Sequence, residues 1–118
     1  MMLMAGMLAL AMLSLAPRAL AHAFLERAQP PVGSEVTTPP QQIVLTFTEG
    51  VEPLFSTVEL RDPNGAVVPT GQPRTSGDDN RRLIVDLPAL AHGEYSVVWH
   101  VTSVDTHKTE GSFRFTVR

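Results

Sequence analysis

From residue 29 onward the chain is built of short runs in which apolar and polar side chains alternate. Ile43, Leu45 and Phe47 alternate with Val44, Thr46 and Thr48, and Val58 and Leu60 with Thr57 and Glu59. Leu83, Val85 and Leu87 do so with Ile84 and Asp86, and Phe113, Phe115 and Val117 with Arg114 and Thr116. The longest run sets Tyr95, Val97, Trp99 and Val101 against Ser96, Val98, His100 and Thr102. A period of two puts every second side chain on one face, the pattern of a half-buried strand. Turn clusters separate the runs: Pro30-Pro31-Val32-Gly33, Pro39-Pro40, Asp62-Pro63-Asn64-Gly65 and Ser76-Gly77-Asp78-Asp79-Asn80. Asn64-Gly65, between Leu60 and Val67-Val68, is a hairpin signal. No stretch beyond residue 21 keeps a helical period for more than about two turns. The pattern predicts an all-β domain of about seven strands, either an antiparallel sandwich or a small Greek-key barrel. Thr70 to Asn80 carries no apolar pattern and is expected to be a long surface loop.

The first segment is different material. Residues 1–16 hold no charged side chain, and all five methionines of the chain lie within residues 1–12. This apolar run is short for a membrane span, which needs about 20 residues. Pro17 ends it, and Ala19-Leu20-Ala21 offers a small-x-small cleavage site, so residues 1–21 read as a secretory signal peptide. Its start lacks the usual Lys or Arg, and Arg18 follows the apolar run instead of preceding it. The competing reading is an uncleaved amino-terminal anchor, which Pro17 and the cleavage site both oppose. Cleavage after Ala21 leaves residues 22–118 as one domain beginning at His22.

Charge and cysteine content narrow the function classes. Without Arg18 the domain has eight basic and twelve acidic residues, a formal net charge of −4. That is no footprint for nucleic acid. With no cysteine, an exported domain of this size rests on its core alone.

Candidate chemistry reduces to the histidines. The chain has no phosphate-binding Gly-rich loop, no nucleophile elbow and no His-Glu-x-x-His helix. Export would make His22 the first residue, offering a free amine and ring Nδ1 that can close a chelate on one ion. Such nitrogen donors suit Cu(II), which favours a square plane of N and O ligands. Asp105 and His107 sit at i and i+2, so in extended chain they project to one face and could fill the other two positions. The residues alone leave two readings open: this copper site, or an exposed histidine and a turn aspartate. His92, in a turn, and His100, on the strand face opposite Trp99, read as solvated side chains. Glu49 ends a strand; it reads as solvated, though it could reach a metal axially or hold a water.

Several ordered motifs together resemble the CopC family of periplasmic copper-binding proteins, over essentially all of residues 22–118. They are His22-Ala23-Phe24-Leu25 with Pro30-Pro31-Val32-Gly33-Ser34, then Ile43-Val44-Leu45-Thr46-Phe47-Thr48-Glu49. Gly93-Glu94-Tyr95-Ser96-Val97-Val98-Trp99, Ser103-Val104-Asp105-Thr106-His107-Lys108 and Gly111-Ser112-Phe113-Arg114-Phe115 complete the set. The resemblance implies a Greek-key barrel or immunoglobulin-like sandwich. It also implies one Cu(II) per mature chain, held by the amine and ring of His22 with Asp105 and His107. Glu49 matches a carboxylate that lies near copper in some members. A periplasmic monomer that sequesters copper, or passes it to a multi-span inner-membrane importer of the CopD type, follows from the same likeness. Some members carry a methionine-rich Cu(I) site; residues 22–118 contain neither Met nor Cys, so the Cu(II)-only type is the closer match.

Two other function classes compete with a non-enzymatic copper binder. An amino-terminal histidine with a second histidine also resembles the histidine brace of oxidative polysaccharide enzymes. Those domains are generally larger, and a plane filled by protein donors leaves little room for oxygen. A sandwich module for protein or glycan binding would need an aromatic platform, and Trp99, the lone tryptophan, is in phase with core positions.

Overall fold

The computed structural model describes residues 22–118. The expected leader over residues 1–21 and its cleavage site lie outside the described residues. Where the sequence alternates, the backbone is extended. β3 (Gln42–Phe47), β4 (Thr57–Arg61), β7 (Asp79–Asp86), β8 (Gly93–Thr102) and β9 (Lys108–Val117) coincide with the five alternating runs. β1 (Leu25–Gln29) precedes them, and three short strands complete the set: β2 (Glu35–Val36), β5 (Val67–Val68) and β6 (Arg74–Ser76).

Among the described residues, nine strands form two sheets, ordered β1-β3-β7-β6 and β2-β9-β8-β4-β5. The all-β expectation holds, with two strands more than expected. The extra ones are short edge strands, which bury little and so leave little apolar signature. β6 corrects the expected Thr70–Asn80 loop: Arg74 pairs with Ile84 and Thr75 with Leu83 at the sheet edge. Backbone pairing there is reinforced by Arg74, whose guanidinium bonds the Asp86 carboxylate at 2.7 Å. Asn64-Gly65 turns the chain from β4 to β5 as expected, with Gly65 at φ +80°, a conformation that favours glycine.

The core lies between the sheets. Ile43, Leu45, Phe47, Leu83 and Val85 face inward from one; Leu60, Tyr95, Val97, Trp99, Val101 and Phe115 do so from the other. Each fully buried side chain of this kind stabilises the fold by about 1.5–3 kcal/mol. Phe47 and Trp99 meet edge to face across the gap, ring centres 5.2 Å apart. β8 and β9 pair along all ten residues of each strand, from Gly93 opposite Val117 to Thr102 opposite Lys108. That hairpin is the longest paired element, and its turn is residues 103–107.

Trp99 is opposite Gly111 in this hairpin, and its ring occupies the space a side chain at 111 would need. A Cβ at Gly111 would stand 2.5 Å from the Trp99 ring. Gly111→Ala is therefore expected to destabilise the domain by about 1–3 kcal/mol through overpacking. Urea unfolding measures this; an unchanged midpoint would show that Trp99 has room to move.

Candidate metal centre

Two chain segments meet at the end of the sandwich where β3 and β8 finish. The first is residues 22–24, ahead of β1. Its backbone is held from both sheets. Phe24 donates its N–H to Thr48 Oγ1 at 3.0 Å, and Thr48 returns its own N–H to the Phe24 carbonyl at 2.9 Å. From the opposite sheet, the Thr109 hydroxyl donates to the Ala23 carbonyl at 2.7 Å. The Ala23 side chain is fully buried, which seats the segment against the core. The His22 carbonyl also accepts from Thr48 Oγ1, at 3.3 Å. With its neighbours pinned, His22 is half-buried, its ring 6.0 Å from that of Phe24.

The second segment is the β8–β9 turn. Sequence spacing predicted Asp105 and His107 on one face of extended chain; instead they lie in a turn. Thr106 between them adopts φ +72°, the left-handed region, so the two-residue alternation of a strand does not apply. The side chains still meet, because the turn folds back on itself: His107 Nδ1 lies 3.2 Å from Asp105 Oδ1. Both remain accessible, with side chains 35% and 41% exposed respectively. Nδ1 itself is buried and makes no hydrogen bond. A buried ring nitrogen without an aligned partner, beside a carboxylate, is the kind of atom a cation would satisfy.

The fold brings His22 to this turn. The His22 and His107 rings are 5.1 Å apart, so His107 touches both other candidates. Among the described residues, however, no group of three or more His, Cys, Asp or Glu side chains stands ready to hold a metal ion. While residue 21 is attached, the His22 nitrogen is a peptide amide and supplies no amine donor. Asp105 is hydrogen-bonded by the Ser103 hydroxyl, which is the chief reason its carboxyl is held below the ordinary carboxylate range. Burial acts in the opposite direction, and the neighbouring His107 ring adds to the lowering. The carboxylate therefore stays anionic to lower pH than an ordinary aspartate.

The remaining expected residues sit apart. Glu49 is exposed just beyond β3, with no hydrogen bond or ion pair to the centre among the described residues. His100 pairs across the outer sheet face with Glu110 at 2.8 Å, and His92 is exposed in the turn before β8. The hollow of about 550 Å³ between Pro39 and Leu90 lies at the other end of β3, away from these donors. Sequence reasoning missed Ser103, Thr48 and Thr109. Ser103 had a local signal, a hydroxyl two residues before Asp105 in a turn. The two threonines had none, since their partners lie 24 and 86 residues away.

Comparison with known proteins points one way. A family model described as the CopC domain matches residues 25–118. Protein YobA of Escherichia coli strain K12 is 41% identical over 103 residues, covering 86% of this chain and 83% of that protein. The crystal structure of CopC from Methylosinus trichosporium OB3b superposes with a TM-score of 0.78 at 38% identity, covering 81% of this chain and 93% of the other. That of PcoC, a methionine-rich copper resistance protein from Escherichia coli, gives 0.72 at 29% identity, covering 83% and 100%.

If residues 22–24 are held from both sheets, removing one hydroxyl should loosen them. Thr109→Val keeps the shape and deletes the bond to the Ala23 carbonyl, at an expected cost of about 1 kcal/mol. Amide exchange at Phe24 should accelerate, while exchange in the β8–β9 ladder stays slow. Unchanged exchange at Phe24 would mean that Thr48 alone holds the segment.

Proposed function

The chain belongs to the CopC family, some of whose members are named copper resistance proteins, and from that premise we propose that it is a periplasmic Cu(II)-binding protein. It would sequester one ion per mature chain or hand it to a multi-span membrane importer of the CopD type. One observation carries this reading: the His22 ring stands 5.1 Å from that of His107, whose Nδ1 lies 3.2 Å from the Asp105 carboxylate. The fold thus sets a histidine from one end of the domain's sequence beside a histidine and an aspartate from near the other.

Removal of residues 1–21 converts the His22 amide into an amine beside its own imidazole. The amine and ring would then chelate one ion, with His107 and Asp105 as the remaining donors. The set is nitrogen-rich with one anionic oxygen, which suits Cu(II). Residues 22–118 hold no Met or Cys, so the soft donors that favour Cu(I) are missing. PcoC, by its description methionine-rich, differs from residues 22–118 in that respect. The proposed role is binding and transfer, not catalysis: four protein donors around one ion leave no open position for a substrate. Glu49 is proposed as a carboxylate that would reach the ion axially or hold a water beside it.

The donor set is tested by substitution in the cleaved protein. His107→Ala should weaken Cu(II) binding by more than about 100-fold, and Asp105→Ala by roughly 10–100-fold, the scale seen for residues that tune a metal site. His92→Ala and His100→Ala should leave affinity within about twofold, since neither ring is near the centre. Competition against a calibrated Cu(II) chelator gives the four constants. Equal losses for all four would reveal adventitious histidine binding.

A further inference from the structure

Within the β8–β9 turn, the side chain with most to hold belongs neither to Asp105 nor to His107. Ser103 is 1% exposed, yet it carries a hydroxyl, and a buried hydroxyl persists only when it is paired. Its Oγ donates to Asp105 Oδ1 and accepts the His107 backbone N–H at 3.2 Å. The His107 carbonyl, also at 3.2 Å, is a second acceptor within reach. Ser103 N–H donates to that same carbonyl at 2.8 Å, and the Ser103 carbonyl accepts from Thr106 N–H at 2.9 Å. Residue 103 is itself bridged to Val51, which bonds Asn80 of β7 in the opposite sheet. One buried residue thus ties the turn to the core and ties the Asp105 carboxylate and the His107 backbone to each other.

A second feature agrees. Thr106 at φ +72° is a β-branched residue in a conformation that costs free energy and persists only where its surroundings enforce it. The bonds that bracket it, from Thr106 N–H to the Ser103 carbonyl and from Ser103 N–H to the His107 carbonyl, are those enforcing contacts.

We propose that Ser103 is the positioning residue of the copper site: its hydroxyl fixes the Asp105 carboxylate and the His107 backbone so that both face His22. The inference rests on the copper reading above. With Oδ1 taken by Ser103 and lying against the His107 ring, Asp105 keeps Oδ2 for an ion. Ser103 touches no ion itself. It acts through Asp105 and through the turn, in the manner of outer-shell groups that orient ligands.

The test uses cleaved protein and Cu(II), with an isosteric pair at position 103. Ser103→Thr and Ser103→Val add the same volume and differ only in the hydroxyl. The threonine variant should bind Cu(II) within about threefold of the parent with the same paramagnetic resonance spectrum. The valine variant should bind roughly 10–100-fold more weakly, with an altered spectrum. A double-mutant cycle separates positioning from general damage: in an Asp105→Ala background, Ser103→Val should cost clearly less than it does alone. Equal binding by the two variants overturns the proposal, as does a valine loss that is fully additive with Asp105→Ala. Those results leave the copper site standing if Asp105→Ala and His107→Ala still weaken binding. If neither of them does, the copper reading falls and the role of Ser103 falls with it.

Discussion

Backbone crosses the gap between the two sheets at the same end of the sandwich, and the candidate centre depends on that lacing. Ala23 and Phe24 are bonded to Thr109 of one sheet and Thr48 beside the other. Val51 donates to Asn80 of β7 and bridges to Ser103 after β8. The facing apolar surfaces supply the cohesion, but they are not directional. Hydrogen bonds across the gap are directional, and they determine which residues at that end come into contact. Without them His22 would precede β1 as a free tail and its ring would have no fixed distance from His107.

Much of this fold was legible because strand burial has a simple period. Ile43, Leu45, Phe47 and the Tyr95–Val101 series announce their inward faces in the order of the residues, and each is buried. The Asn64-Gly65 turn was equally plain, since few other pairs tolerate its backbone. β6 was not legible. Arg74, Thr75 and Ser76 present no apolar face, and their pairing with β7 is a property of the neighbouring strand, not of their own sequence. The same limit applies to the centre. His22, Asp105 and His107 could be picked out by donor chemistry, but the i, i+2 argument for their shared face was wrong in its geometry. A left-handed Thr106 replaced the strand with a turn, and a contact between the ring and the carboxylate was reached by another route. The hydroxyls of Thr48 and Thr109 were invisible for a different reason, because bonds across tens of residues leave no mark in local spacing.

The chemistry of the centre is divided between two segments far apart in the sequence. Asp105 and His107 sit on the turn of a hairpin paired over its full length and anchored by a buried serine. His22 sits in a short segment held by three hydroxyl-mediated bonds, a backbone bond from Thr48 to the Phe24 carbonyl, and the buried Ala23 side chain. The proposed Cu(II) preference rests on the donor types, because residues 22–118 hold no thioether or thiolate.

The central claim is that the amine of His22 becomes a ligand once residues 1–21 are gone, and blocking that amine tests it most directly. Cleaved protein, with its first residue verified by mass spectrometry, is compared with the same protein acetylated at His22. Acetylation removes the amine lone pair and keeps the ring. The account predicts that Cu(II) affinity collapses on acetylation and that the nitrogen-rich paramagnetic resonance spectrum of the cleaved protein is lost. Equal affinity with one shared spectrum would contradict it, and would place the ion somewhere other than the amino-terminal histidine.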